Sequence, residues 1–170
     1  MLIVRPKPGK PTRGILRVGP LALPCALGRS GRTAFKREGD GATPIGSFAV
    51  LNLYKRGDRP LRAVRSLLPT RRTRLSDGWC DAPGDPAYNR PVRLPHRASA
   101  ETMWREDRLY DAVVVLDYNV QPRARNRGSA IFLHVAKPGF PPTEGCIALA
   151  PRDMARVLPH LRRGRRIVVL

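Results

Sequence analysis

Cysteine, aromatic side chains and long apolar runs are all scarce in this sequence of 170 residues. Its three cysteines are too few, and odd in number, for a disulfide framework, and they suit a reducing compartment. No apolar run approaches the length that a membrane-spanning helix needs. The sequence therefore predicts neither a disulfide-stapled scaffold nor a membrane protein. Its length predicts one domain, residues 1–170, with a sizeable core.

The amino terminus also lacks the features of an export signal. Residues 1–5 lead almost directly into strand-like sequence, without a basic segment, an apolar segment and a cleavage site in that order. On this basis we expect the protein to work in the cytoplasm, or in the periplasm if an upstream signal has been lost.

Acidic residues are few, 13 against 32 lysines and arginines, which gives a formal net charge of +19. A field of this sign attracts nucleic acids and acidic ligands. The arginines are scattered, however, and no aromatic residue is interleaved for base stacking in the basic segment 55–74. We therefore predict a solvated basic surface. An acidic substrate is the first alternative, and a nucleic-acid partner is disfavoured.

The segment 128–150 carries the residues on which a reaction could depend. An apolar run leads into His134, and a second apolar run begins directly after Cys146. Such runs, bounded by glycine and proline, predict two buried strands. We expect the loop between them to fold the chain back as a hairpin and bring the imidazole beside the thiol. The N–H groups of Gly145 and Cys146 can then point at one oxygen. A nucleophile, a base and oxyanion donors predict an acyl-transfer site.

This arrangement resembles the signature of the YkuD-type L,D-transpeptidases, in which a strand ending in His is followed by a loop and by [Ser/Thr]-x-Gly-Cys. Residues 143–146, Thr-Glu-Gly-Cys, match the second part of that signature. Upstream, residues 40–48, DGATPIGSF, resemble the family's TPxGxF strand entry. The two motifs occur in the family's order, and the resemblance extends from about residue 14 to the end of the chain. It implies a mainly β fold, a folded β-sandwich or barrel-like catalytic domain with about two peripheral helices.

The resemblance also implies a reaction and roles for particular residues. Cys146 would attack the carbonyl of the third residue of a peptidoglycan stem tetrapeptide and expel D-Ala. His134 would be the general base, and the backbone carbonyl of Val135 would orient its ring. No cofactor is implied. Water as the acceptor would give L,D-carboxypeptidase action on soluble muropeptides. An amine would give L,D-transpeptidation, either as 3-3 cross-links or as D-amino-acid exchange.

Two positions beside the candidate nucleophile depart from the family pattern. Glu144 stands where the family usually has a second His, and Ala148 where it usually has Arg or Asn. These departures indicate altered substrate handling and, with the expected cytoplasmic location, favour hydrolysis over transfer. The alternative from another class is a non-catalytic peptidoglycan- or nucleic-acid-binding protein, which the presence of both Cys and His disfavours.

A second candidate region is 77–95, where turn-forming residues surround large side chains. Loops over a rigid sheet often line a site. We therefore predict substrate contacts from Trp79, Tyr88 and Asn89, and from Thr143 beside the nucleophile. For Trp79 and Tyr88, packing under the loop is the alternative.

The remaining cysteines and a second histidine have simpler interpretations. Cys25 lies inside an apolar run and is predicted to pack in the core. Cys80, next to Asp81, resembles half of a metal site, but no second Cys or His stands at zinc-like spacing, so we predict no metal. His96, on a loop after a proline, is a rival base for Cys146, although nothing in the sequence places it nearby.

Strand-like segments predominate along the sequence, which predicts about eight strands and two helices. Ser99 can cap a helix that runs to about Arg108. Pro151 suits the first position of an amphipathic helix, which Pro159 should distort near its end. These numbers of strands and helices predict a folded or barrel-like β-sandwich with helices on the outside.

Overall fold

The short apolar runs of the sequence form strands in the structure, a computed structural model that describes residues 1–170. The strands are β1 Leu2–Lys7, β2 Lys10–Val18, β3 Leu21–Ala26, β4 Arg32–Thr33, β5 Thr43–Pro44, β6 Gly46–Lys55, β7 Thr70–Arg72, β8 Asp77–Cys80, β9 Pro91–Arg93, β10 Ala100–Thr102, β11 Ala112–Leu116, β12 Phe132–Val135, β13 Ile147–Leu149 and β14 Arg166–Val169. The α-helix, α1, is Pro151–Val157, and 3-10 turns cover Pro60–Ala63 and Leu158–His160.

The main sheet closes on itself. Its strand order is β11-β12-β13-β3-β2-β1-β14-β6-β7, and β6 pairs with β11 as well. The long strand β6 can serve three neighbours because its ten residues span the registers of β14, β7 and β11. Closure leaves few exposed edges, which protects a strand-rich chain from edge-to-edge association. The prediction of a mainly β, barrel-like fold is confirmed.

Strand β11, sequence AVVVL, separates two apolar layers. All five of its residues are buried, as a continuous β-branched run predicts for a strand covered on both faces. Val114 packs in the larger core with Leu133. Val113 and Val115 face the other way and pack with Phe132 and Cys146. Because side chains alternate along a strand, His134 shares the face of Phe132, outside the larger core.

A small second sheet covers that outer face. Its strand order is β10-β8-β9, and Trp79 of β8 meets Phe132 of β12 edge to face, with ring centroids 5.1 Å apart. The space beside this contact, between the small sheet and the end of β12, is where the candidate site lies.

The helix predicted from Ser99 to Arg108 is wrong. Residues Ala100–Thr102 form β10 instead, with Glu101 opposite Trp79 in antiparallel register. Met103 extends the pairing by donating its N–H to Asp77 O at 2.9 Å. Pairing with β8 outweighs the local helix signal, because a single capping serine contributes only about 1 kcal/mol.

The hairpin predicted around His134 and Cys146 is also wrong. Strands β12 and β13 are neighbours but run parallel, with His134 opposite Ala148. A parallel connection needs about a dozen residues, and the segment 136–146 supplies that length. Its return path is fixed by Thr143, whose N–H donates to Leu27 O at 2.9 Å. The two candidate residues therefore meet across a parallel pair of strands.

The second predicted helix is present. Pro151 occupies its first turn, and Met154 and Val157 are buried against the larger core. The last turn tightens into the 3-10 segment Leu158–His160 where Pro159 stands, as predicted. No helix in the structure is long and apolar enough to cross a membrane.

Candidate active site

A cavity of about 700 Å³ opens beside β12 and β13, and both His134 and Cys146 line it. His134 comes from strand β12, and Cys146 lies one residue before β13. Cys146 precedes Ala148 by two positions, and Ala148 is the strand partner of His134. Two strand residues span about 6.6 Å. Closely spaced backbone positions on adjacent strands therefore direct both side chains into the same cavity.

The ring of His134 is held by the backbone. Its side chain is buried, and its Nδ1 lies 2.8 Å from Val135 O. A carbonyl oxygen can only accept, so Nδ1 carries the proton and Nε2 of the neutral ring is an acceptor. Burial lowers the pKa of His134 to about 4, although the Val135 and Leu109 carbonyls favour the charged ring. At neutral pH the imidazole is therefore uncharged.

The thiol of Cys146 sits among backbone groups of the segment before β12. Its Sγ donates to Ala130 O at 3.2 Å and accepts from the Phe132 N–H at 3.4 Å. Burial, and to a lesser extent the charge of Glu101, raise the pKa of this thiol to about 12. No hydrogen bond joins Cys146 to His134. The resting pair is thus a neutral thiol beside a neutral imidazole.

The turn that presents Cys146 requires glycine at position 145. Gly145 has φ of +133°, and a Cβ there would lie 2.9 Å from Ala42 O. Its N–H donates to Thr143 Oγ1 at 3.2 Å, and that hydroxyl donates to Cys146 O at 2.7 Å. Thr143, predicted to contact substrate, thus places its hydroxyl inside the turn.

The upstream motif supports the same turn. Gly28 N–H donates to Thr43 Oγ1 at 2.8 Å, and Thr43 Oγ1 lies 3.4 Å from Cys146 O. The carboxylate of Asp40 closes the preceding loop by accepting from the Ala42 N–H at 2.9 Å. The motif that marked a family resemblance therefore packs directly against the candidate nucleophile.

The sequence model of the L,D-transpeptidase catalytic domain matches residues 15–169. The chain belongs to this family. A search of curated protein sequences found no match.

Solved structures similar to the chain include three mycobacterial L,D-transpeptidases. L,D-transpeptidase 1 of Mycobacterium tuberculosis is 16% identical with a TM-score of 0.45, and the alignment covers 99% of this chain and 58% of that one. An L,D-transpeptidase of Mycobacterium smegmatis is 15% identical with a TM-score of 0.43 and the same coverage. L,D-transpeptidase 3 of M. tuberculosis is 14% identical with a TM-score of 0.40, covering 99% and 60%. The chain thus spans about three fifths of the length of these structures.

Both departures from the family pattern line the cavity of this L,D-transpeptidase domain. Glu144 is exposed at the cavity mouth, where its Oε2 lies 2.8 Å from Arg29 Nε. Ala148, opposite His134 in the strand register, contributes only a methyl group. The imidazole therefore has no polar side chain from position 148 beside it.

Trp79, Tyr88 and Asn89 do not line the cavity. All three are buried, which corrects the expectation that they form pocket walls and agrees with the alternative of packing under the loop. Asn89 connects the small sheet to the segment before β12. Its Oδ1 accepts from Trp79 Nε1 at 2.9 Å and from the Ala130 N–H at 3.1 Å. Ala130 in turn has φ of +52°, a conformation that these contacts help to hold.

Sequence reasoning missed the charged lining of the cavity. Asp81, Glu101, Arg105 and Lys36 all face it. The sequence pattern places Glu101 in a predicted helix, whereas the pairing of β10 with β8 directs it into the cavity. A lone acidic residue in a short strand carries no sequence signal of this placement.

One further cluster combines groups that can ligate metals. The ligand atoms of Cys80, Asp85 and His96 lie within 4.8 Å of one another. The carboxylate of Asp85 is already engaged, accepting from the Ala87 N–H at 2.7 Å and from Arg97 Nε at 3.1 Å. His96 lies in this cluster and not in the cavity of Cys146, which removes the rival base from the vicinity of the thiol.

Proposed function

We propose that this L,D-transpeptidase domain acts on peptidoglycan stem tetrapeptides and cleaves the bond between the L-centre of the third residue and the terminal D-Ala. Cys146 is the nucleophile and His134 the general base. The observation that carries the proposal is that both side chains enter one cavity, with Nδ1 of His134 fixed by Val135 O. This leaves Nε2, the acceptor nitrogen, to take the thiol proton.

The neutral resting pair supports a stepwise role for each group. As sulfur attacks the carbonyl carbon, the thiol proton passes to Nε2 of His134, so a thiolate forms only during attack. The N–H groups of Cys146 and Gly145 stabilise the oxyanion, Gly145 by exchanging its 3.2 Å bond to Thr143 for the substrate oxygen. The imidazolium then protonates the amine of D-Ala, which leaves a thioester on Cys146.

Water is the acceptor that we propose for this thioester. His134 takes a proton from water, hydroxide adds to the thioester carbonyl, and the thiol regains its proton as the tripeptide leaves. Two positions support this choice, because Ala148 beside His134 contributes only a methyl group and Glu144 is ion-paired with Arg29, so neither holds an incoming amine. The product is a shortened stem peptide, and the activity is that of an L,D-carboxypeptidase.

Soluble muropeptides in the cytoplasm are the substrates that we propose. All three cysteines are free and buried, which suits a reducing compartment. In that compartment no polymer is present to accept the acyl group, so hydrolysis and muropeptide recycling are the consistent outcome.

The acceptor can be tested by competition. The protein is incubated with disaccharide-tetrapeptide and increasing D-Met, and both products are followed by mass spectrometry. We expect tripeptide to dominate at every D-Met concentration. If D-Met-exchanged tetrapeptide overtakes tripeptide as D-Met rises, the domain is a transpeptidase and hydrolysis is its side reaction. If no D-Ala is released in any condition, the peptidase proposal fails.

A further inference from the structure

A second group of chemically versatile side chains lies outside the cavity, at the end of β8. One ligand atom from each of Cys80, Asp85 and His96 lies within 4.8 Å of the others, and Cys80 and Asp85 are buried. None of the three residues lines the cavity of Cys146. A thiol, a carboxylate and an imidazole that converge in this way are a donor set for a metal ion.

The pairing of the small sheet brings the three residues together. Cys80 is the last residue of β8, and its carbonyl accepts from the Asn89 N–H at 2.8 Å, which closes a loop that contains Asp85. The connection that carries His96 leaves β9 opposite Asp77 and enters β10 opposite Cys80. It therefore crosses a face of β8 and ends beside Cys80. Sequence spacing gives no sign of this third ligand, because tertiary pairing supplies it.

Two of the three donor groups have no partner within the protein. Nε2 of His96 is buried without a hydrogen bond, and its 3.6 Å distance from Asp85 Oδ1 is too long for one. The side chain of Cys80 is fully buried, and its thiol is free. A buried ring nitrogen without a partner is costly, so its persistence beside a free thiol indicates a partner from outside the protein.

The carboxylate of Asp85 is oriented by its neighbours and keeps the capacity to ligate. Its Oδ1 accepts from the Ala87 N–H at 2.7 Å, and its Oδ2 accepts from Arg97 Nε at 3.1 Å. Each carboxylate oxygen has two lone pairs, so one remains on Oδ1 on the side of His96. Hydrogen bonds of this kind hold a ligating carboxylate in position. Arg97 is largely exposed, so its ion pair competes only weakly with a metal ion.

We propose that Cys80, Asp85 and His96 bind a zinc ion, with water in the fourth position. Thiolate and imidazole ligands favour zinc, whereas magnesium and calcium take oxygen ligands. In a tetrahedral zinc site the ligand atoms lie about 3.3–3.6 Å apart, and the 3.6 Å between His96 Nε2 and Asp85 Oδ1 matches this separation. Side-chain shifts of about 1 Å bring the third ligand to the same separation. His96 is partly exposed and gives the ion a route from solvent.

Zinc at this position crosslinks the segment that supports the candidate nucleophile. Asn89 lies between the ligands Asp85 and His96 in the chain, and its Oδ1 accepts from the Ala130 N–H at 3.1 Å. The carbonyl of Ala130 in turn accepts from the Cys146 thiol at 3.2 Å. The ion is thus structural: it stabilises the loop under the cavity, and no step of the proposed reaction passes through it. The zinc site accordingly stands or falls independently of the peptidase proposal.

The test uses Cys146→Ala as the host, because Cys146 and His134 together could also bind zinc. The host is titrated with Zn²⁺ against a colorimetric chelator, and with Co²⁺ by absorption spectroscopy. We expect about one zinc per chain, the release of about one proton from the Cys80 thiol, and a cobalt–thiolate charge-transfer band. Cys146→Ala/His96→Ala should bind zinc at least about a hundredfold more weakly, since loss of a supporting residue alone costs up to about that much. Cys146→Ala/Cys80→Ser should lose the band.

Two matched controls keep the result specific to this cluster. His160 is exposed and Cys25 is a free, buried cysteine of the larger core, so His160→Ala and Cys25→Ala in the same host should bind zinc as the host does. Zinc should also raise the melting temperature of the host but not that of Cys146→Ala/His96→Ala. Because His96 is partly exposed, this variant tests the site even if Cys80→Ser fails to fold. Absence of zinc binding by the host, or equal affinity in the host and the His96 variant, overturns the proposal.

Discussion

The thiol of Cys146 donates its hydrogen bond to the carbonyl oxygen of Ala130, 3.2 Å away, and not to the imidazole of His134. This contact holds the sulfur in its protonated form, as does burial, which raises the pKa of the thiol to about 12. The nucleophile that we propose is therefore an uncharged thiol at rest. We expect it to react when a substrate enters the cavity and the proton moves to Nε2 of His134.

Replacing the nucleophile should abolish activity without unfolding the domain. Cys146→Ala removes the attacking sulfur, and a small residue fits the turn that Gly145 and Thr143 form. We expect no detectable D-Ala release from tetrapeptide and an unchanged circular dichroism spectrum. Substantial release from a correctly folded variant would rule out Cys146 as the nucleophile.

The other two cysteines are matched controls. Cys25 packs in the larger core and Cys80 lies at the end of β8, both fully buried and outside the cavity. Cys25→Ala and Cys80→Ala should lower stability by about 1–2 kcal/mol, as the loss of a small buried side chain does. Both variants should keep most of the turnover.

Loss of the general base should slow turnover, and the low pKa of this base predicts a distinctive pH profile for the wild-type protein. His134→Gln should lower kcat by about two to four powers of ten. In the wild type the base must be uncharged, and the pKa of about 4 keeps it so throughout the neutral range. We expect kcat to stay flat from neutral pH down to about pH 5. A fall in kcat centred near the ordinary histidine pKa would contradict a buried neutral base.

The burial of His134 also predicts how stability depends on pH. Folding lowers its pKa from 6.5 to about 4. Between these values the unfolded chain binds a proton that the folded protein excludes, so stability is lost as pH falls below 6.5. Between about pH 7.5 and about pH 5 this single group should cost about 2 kcal/mol.

Urea denaturation of wild type and His134→Gln at both pH values isolates that contribution. The variant should lose about 2 kcal/mol less on acidification than the wild type, because the other titrating groups are common to both. An identical pH dependence in the two proteins would mean that His134 is accessible to protons in the folded state.

Local pattern was sufficient to select Cys146 and His134 as candidates but not to predict how the two residues meet. Gly145-Cys146 before an apolar run and His134 near the end of another are features of a few consecutive residues. The chain enters β13 through Thr143, whose N–H pairs with Leu27 O, and β13 then pairs with β3, more than a hundred positions away in sequence. Register of this kind is decided by tertiary contacts, so the hairpin expectation failed although both candidate residues line one cavity.

The residues around Trp79 also show what local sequence cannot predict. Large side chains on a turn-rich segment suggested a pocket, yet β8 and β10 bury Trp79 against Phe132. The same pairing turns Glu101 into the cavity. A composition signal cannot tell which face of a short strand is covered, because that depends on a partner strand elsewhere in the chain.

Asn89 should stabilise the site although it does not touch the cavity. Its amide accepts from the Ala130 N–H and donates to the carbonyls of Tyr118 and Asn119, at 3.1 and 2.8 Å. Asn89→Ala leaves these buried groups unpaired at a position with φ of +54°. We expect a loss of about 2–4 kcal/mol in stability and a lower kcat, as the Ala130 carbonyl shifts from the thiol.

The matched control is Asn126→Ala. Asn126 is exposed and has a similar φ of +61°, so its replacement measures the backbone strain alone, about 1 kcal/mol. Thermal denaturation of both variants gives the difference. If the two variants lose equal stability, the hydrogen bonds of Asn89 contribute nothing and its positioning role is wrong.

Two substitutions of Thr143 distinguish a hydroxyl that binds substrate from a hydroxyl that orders the turn before Cys146. Its hydroxyl accepts from the Gly145 N–H and donates to Cys146 O, which leaves its capacity to bind substrate largely used. Thr143→Val keeps the shape of the side chain but removes both hydrogen bonds, and Thr143→Ser keeps the hydroxyl. If the hydroxyl orders the turn, Thr143→Val should lower kcat by about tenfold or more with little change in KM, since the oxyanion donors move relative to the bound carbonyl. Thr143→Ser should restore most of kcat.

A rise in KM at unchanged kcat would instead mean that the hydroxyl binds substrate, as the sequence predicted, and that the turn holds its shape through Gly145 and the packing of Ala42 against it.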